Sequence, residues 1–156
     1  MYIFAVHSMT GMMKHMVLTL LLCFLTFSIA GCREGKDTAA TLTEAEALMY
    51  TSPDSALQML EAIPHPERLT GREQADYALL LTQARSRCRI TATSDSLIRI
   101  ATDYYLHTDN NNRKATALYY LSDVYTDMGK YTEAIVPLKQ AEEVVEDAEF
   151  RIQSLV

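Results

Sequence analysis

The sequence predicts an all-α fold, an α-α superhelix of about three antiparallel helix pairs, and three observations support it. The chain of 156 residues contains only 5 Gly and 4 Pro, so few residues interrupt a helix. Apolar residues recur at helical spacings from residue 42 onwards. Short stretches of turn and capping residues separate these segments. We therefore expect one helical domain of modest size.

Composition and charge restrict the class of function. Hydrophobic residues make up 49% and charged residues 22%, which is ordinary for a globular protein. The net charge is -6, and all 20 acidic residues but only 13 of the 14 basic ones follow Cys32, so that part carries -7. This balance disfavours nucleic acid as a partner and offers no polybasic patch for anionic lipid.

The chain opens with a predicted signal peptide, residues 1–31. The uncharged run VLTLLLCFLTFSI measures about 20 Å as a helix, shorter than the roughly 30 Å core of a bilayer. Lys14 and His15 precede this run, and small residues end it, as in a secretory signal. The first eleven residues are unusual ahead of such a signal, and Met12 and Met13 are alternative starts to Met1.

The segment Ile29-Ala30-Gly31-Cys32 resembles the lipobox of bacterial lipoproteins. The resemblance implies that Ile29, Ala30 and Gly31 form the cleavage site and that Cys32 becomes the lipidated first residue, anchored to a membrane of the cell envelope. The alternative is a signal anchor that ends in a buried cysteine. After cleavage only Cys88 would remain besides Cys32, so no intramolecular disulfide is expected. Residues 32–41 are predicted to be the lipidated cysteine and a flexible tether.

Residues 115–148 carry the clearest repeat-like pattern. Gly129 is expected to end a first helix and Tyr131 to begin a second, and small residues at fixed steps would let the two helices approach closely. The pattern resembles the 34-residue tetratricopeptide repeat (TPR). Glu146 stands where that family has proline, and Pro137 predicts a kink in the second helix. The matching positions, which we expect in the repeat core, are Leu118, Leu121, Ser122, Tyr125, Ala134, Leu138 and Ala141.

Two further units precede this one. The connection in the middle unit, residues 89–94, is about eight residues longer than the pattern expects. The front unit is weaker, with Ala56 and Leu60 at the expected step. The predicted helices cover 42–50, 53–62, 72–88, 94–107, 111–128 and 131–148, within a domain of residues 42–149. The core positions of the middle unit are Tyr77, Leu80, Ala84, Ala101 and Tyr105.

Three segments, SPDSAL (52–57), DYALLLTQA (76–84) and TSDSLIRIATDYY (93–105), resemble membrane-anchored TPR proteins of the bacterial envelope. Larger members of that group continue into more repeats, a transmembrane helix and a signalling or DNA-binding end. The chain could thus be a lipoprotein scaffold or the N-terminal sensor segment of a membrane-bound regulator. The apolar tail, residues 150–156, indicates a truncated chain or a surface that docks, including on a second copy.

No catalytic motif stands out. The sequence lacks a Gly-rich phosphate loop, H-E-x-x-H and G-x-S-x-G, so we predict no catalytic residue, cofactor or metal. A module that binds a protein or peptide is favoured over an enzyme or a small-ligand binder. The candidate partner-binding residues lie on the first helices of the pairs, on faces that the repeat pattern leaves free: Asp76, Gln83, Arg113, Lys114, Tyr120 and Asp123.

Overall fold

The computed structural model describes residues 38–145. The described residues from Ala40 onwards belong to one compact unit. The predicted signal peptide, Ile29, Ala30, Gly31 and Cys32 lie outside the described residues, as does the tail at 150–156.

The described part of the chain consists of helices and their connections and contains no strand, which confirms the all-α prediction. A short 3-10 turn, Pro66–Arg68, interrupts the connection between the second and third helices. The α-helices are α1 (38–48), α2 (Pro53–Glu61), α3 (Gly71–Arg87), α4 (Ser96–Tyr105), α5 (Asn111–Asp127) and α6 (Tyr131–Val144).

The two outer helices differ most from the predicted bounds. Helix α1 already includes residues 38–41, which the sequence predicts to be tether; the alanines at 39 and 40 are strong helix formers. Helix α6 ends at Val144, whereas the sequence predicts a helix to residue 148. It runs through Pro137 as one continuous helix, so the expected kink does not break it.

The helix ends show which capping signals operate. Gly129 adopts a φ of 73° and ends α5, as its position predicts. The side chain of Asn110 accepts the backbone N–H of Arg113 at 3.1 Å and caps the start of α5. Asp95 precedes α4 but makes no such cap; its carboxylate accepts from Arg99 Nε at 2.7 Å instead. That hydrogen bond, more than any other influence, lowers the pKa of Asp95.

Helix α3 takes part in two hydrophobic clusters. The first cluster packs α1 and α2 against one face of α3 and contains Leu42, Ala45, Met49, Ala56, Leu60, Ile63, Leu80, Leu81 and Ala84. The second packs α4 and α5 against another face and contains Ala75, Ala78, Leu79, Ile98, Ala101, Tyr105, Ala117, Tyr120, Leu121 and Val124. A helix that is apolar on several sides belongs in an interior, which explains the run ALLL in this segment.

Most positions expected in the repeat core are buried: Leu80, Ala84, Ala101, Tyr105, Leu118, Leu121, Ser122, Ala134 and Ala141. Tyr77 and Tyr125 are half-buried. Leu138 differs, since 40% of it is exposed. It lies on a face of α6 with Tyr131 and Ile135, and no described element packs over that face. The position is therefore not a core position in this part of the chain.

Ala101 should tolerate no larger side chain. It is completely buried in the second cluster, so Ala101→Leu forces extra volume between α3, α4 and α5 and should lower the free energy of unfolding by about 1–3 kcal/mol. Ala47→Leu is the matched control, because Ala47 is exposed on α1 and its change should stay within about 0.5 kcal/mol. Urea unfolding of both variants measures the difference. Equal losses would contradict the assigned packing.

Candidate functional site

One face of the helical domain combines residues of α1, α3 and α5, the first helices of the three successive pairs. Positions 76, 83 and 87 share one side of α3 because steps of seven and four residues bring side chains onto the same face. Positions 113 and 120 share one side of α5 for the same reason. Two side-chain groups form there, and each joins helices that are distant in sequence.

The first group, the charged cluster, consists of Glu46, Arg72, Asp76, Tyr105 and Arg113. Arg113 Nη2 donates to Glu46 Oε2 at 2.5 Å, across 67 positions of sequence. Its Nε lies 3.5 Å from Asp76 Oδ1. The charged cluster therefore connects α1, α3 and α5 through one guanidinium.

Asp76 is the acceptor on which the charged cluster converges. The hydroxyl of Tyr105 donates to it at 2.5 Å and Arg72 Nε donates at 3.3 Å. Burial of the Tyr105 ring raises the pKa of its hydroxyl, and the hydrogen bond to Asp76 raises it further. The phenol is therefore held neutral as a donor.

The second group, the tyrosine–arginine cluster, consists of Tyr50, Gln83, Arg87, Tyr119 and Tyr120. The guanidinium carbon of Arg87 lies 3.9 Å from the centre of the Tyr50 ring, in cation–π geometry. Gln83 Nε2 donates to the Tyr50 hydroxyl at 3.4 Å. The rings of Tyr119 and Tyr120 meet edge to face, with centres 5.1 Å apart. Burial raises the pKa of both of these tyrosines, and the positive charge of Arg87 opposes that effect.

The structure brings the predicted partner-binding residues together but does not leave them free. Asp76 and Arg113 bond within the charged cluster. Gln83 is buried, and Tyr120 is only 6% exposed because its ring packs into the second hydrophobic cluster. The prediction that the positions of Gln83 and Tyr120 are free of core duty was wrong, since both side chains are buried, Tyr120 in a cluster with residues of α3 and α4.

The other two predicted residues lie at the edges of the same face. Asp123 accepts the Ser86 hydroxyl at 2.7 Å, and Lys114 is half-buried. Sequence reasoning missed Tyr50 and Arg87. Arg87 lies four residues after Gln83 on the same helix face, a spacing that could have identified it. Tyr50 follows the end of α1, outside the repeat positions, and no local signal marks it.

A cleft of about 370 Å³ lies beside this face, under the long connection between α3 and α4. Leu97, Ile98 and Val124 are among its apolar lining residues, while hydroxyl groups and carboxylates surround them. The backbone N–H of Ala92 donates to Asp127 at 2.8 Å and ties the connection to α5. The extra residues of the connection thus form one wall of a cleft.

Neither a metal site nor a bilayer-spanning helix is found among residues 38–145. No group of three or more His, Cys, Asp or Glu side chains in this range is arranged to hold a metal ion. None of the helices in this range combines the length and the apolar character needed to cross a bilayer. No protein-family model, curated protein or solved structure matches the chain.

The stability of the domain should depend on Tyr105 at high pH. A tyrosine whose pKa is raised by folding retains its proton when the unfolded chain loses it near pH 10. Stability is therefore present in full below about pH 10 and falls as the pH rises above it. Tyr105→Phe should make this alkaline loss shallower, while at neutral pH it should cost about 0.5–1.5 kcal/mol for the lost hydrogen bond to Asp76.

Urea unfolding at several pH values between 7 and 11 measures both effects. Tyr131→Phe, which removes an exposed hydroxyl, is the control. An alkaline slope in Tyr105→Phe identical to that of the unsubstituted protein would show that burial of this phenol does not affect folding.

Proposed function

We propose that the chain is a non-catalytic lipoprotein of the bacterial envelope whose helical part is a TPR-like array that binds a segment of a protein partner. Two features of the chain support this proposal. The lipobox-like segment ending in Cys32 supports the anchor, and three successive helix pairs support the array. Membrane attachment through Cys32 would hold the binding face close to the bilayer surface.

The observation that carries the binding function is the composite face of α1, α3 and α5. Three helices contribute side chains to it, so an extended chain that crosses it can contact more than one helix. It offers a tyrosine ring that is 54% exposed, Tyr50, beside a guanidinium and an amide. Aromatic and arginine side chains of this kind supply much of the binding energy in protein interfaces.

A second candidate function is the binding of a small molecule, and the cleft beside the face favours it. Its volume of about 370 Å³ is within the range of ligand pockets, and its lining mixes apolar and hydroxyl groups. The two functions differ in the surface they use. Variants on the composite face should abolish partner binding without changing the cleft.

The anchor is tested by the mature N-terminus. Mass spectrometry of the protein isolated from a bacterial envelope should find a polypeptide that begins at Cys32 and carries acyl chains. Two or three acyl chains would give stable membrane binding. Cys32→Ser should prevent both lipid attachment and cleavage. A chain with unmodified Cys32 that still begins at Met1 would refute the lipoprotein assignment.

The binding face is tested by crosslinking the protein to its partners in native membranes, followed by purification and identification. Tyr50→Ala removes the most exposed ring of the face and should reduce the partner yield at least severalfold. Tyr131→Ala is the matched control, since that tyrosine is 67% exposed on α6, outside the face. Equal yields from both variants would place binding elsewhere on the molecule.

A further inference from the structure

Arg87 differs from the other half-buried or paired arginines of residues 38–145. Arg72, Arg85, Arg99 and Arg113 each lie within salt-bridge distance of a carboxylate. Arg68 and Arg89 have no such partner but are exposed to water. Arg87 is half-buried, has no carboxylate partner in this range, and its Nε is buried without a hydrogen-bond acceptor.

This arrangement is unfavourable for the free protein. A buried donor that lacks an acceptor loses its hydration without compensation, and a guanidinium loses more because it is charged. Asp123 does not compensate the charge of Arg87. Its carboxylate accepts a hydrogen bond from Ser86, and its charge acts on the neighbouring Tyr119. The Tyr50 ring covers the guanidinium but offers no negative charge.

The surroundings of Arg87 suit an incoming carboxylate. A guanidinium binds a carboxylate through parallel N–H donors, and such charge-assisted bonds are stronger in a site that excludes water. The hydroxyl of Tyr120 accepts a hydrogen bond from Arg87, and burial raises its pKa, so it keeps a proton that it can donate at the same place. The exposed part of the Tyr50 ring could cover the aliphatic stem of an acidic side chain.

From these contacts we infer that Arg87 receives the carboxylate of an Asp or Glu side chain from the partner segment that lies on the composite face. The inference rests on the proposed function and specifies the chemistry of the partner. Tyr50 closes one side of the subsite, and Gln83 holds Tyr50 in place through its hydroxyl. Binding of the acid would give the half-buried guanidinium a carboxylate counter-charge.

The test uses the full chain in detergent and a library of ten-residue peptides with acetylated and amidated ends, so that only side chains carry charge. The unsubstituted protein should enrich peptides with Asp or Glu at one position. Replacing that acid by its amide in a selected peptide should weaken binding about tenfold or more, the effect of losing one charge-assisted pair.

Two variants locate the subsite. Arg87→Met keeps an unbranched side chain against Tyr50 but removes the charge, so it should lose the preference for the acid over its amide. Arg89→Met is the matched control. Arg89 lies two residues after Arg87 and is exposed, so this variant removes the same charge but should keep the preference for the acid over its amide. The melting temperature of Arg87→Met should equal or exceed that of the unsubstituted protein, because an unsatisfied buried donor is gone.

The outcomes separate the inference from the proposed function. If the unsubstituted protein selects no peptide, the proposed function fails and the inference fails with it. If it selects peptides without an acidic position, or if Arg87→Met keeps the preference for the acid, only the inference is overturned. A marked drop in the melting temperature of Arg87→Met would also overturn it, since Arg87 would then be a packing residue.

Discussion

The burial of α3 on two sides is the constraint on which the rest of the domain depends. Leu80, Leu81 and Ala84 pack toward α1 and α2, while Ala75, Ala78 and Leu79 pack toward α4 and α5. No other helix of residues 38–145 contributes buried residues to both clusters in this way. The remaining side of α3 carries Asp76, Gln83 and Arg87, and each of them contacts a residue of another helix or turn. The polar face is therefore a direct result of how the apolar faces are used.

The helices could be predicted from the sequence because their signals are local. A φ of 73° at Gly129 and the cap at Asn110 need only neighbouring residues, and Gly129 lies where the sequence predicts the end of a helix. The polar clusters could not be predicted in the same way, because their members are far apart in the chain. Glu46 and Arg113 meet only after three helices have packed. The prediction for Tyr120 was wrong for a related reason: its burial depends on α3 and α4, not on its position along α5.

The small residues explain how the first helices come close enough for these contacts. Ala75 and Ala78 of α3 and Ala117 of α5 are completely buried in the second hydrophobic cluster, and none of them extends far from the backbone. Larger side chains there would separate the helices. The stacking of Arg87 over Tyr50 and the bridge from Arg113 to Glu46 require short distances between neighbouring helices. The apolar interior and the polar surface are thus coupled, although they share few residues.

The bridge from Arg113 to Glu46 also has a mechanical consequence. It spans α3 from one flanking helix to the other, so it acts as a tie across the face. Bending the helical domain so that α1 and α5 move apart must first break this contact and leave Arg113 with Asp76 alone. The tie resists opening of the face but not closing. An extended peptide segment can lie along such a surface while the ion pair stays intact. A larger group that separates α1 from α5 must break the ion pair, which is weaker at high ionic strength.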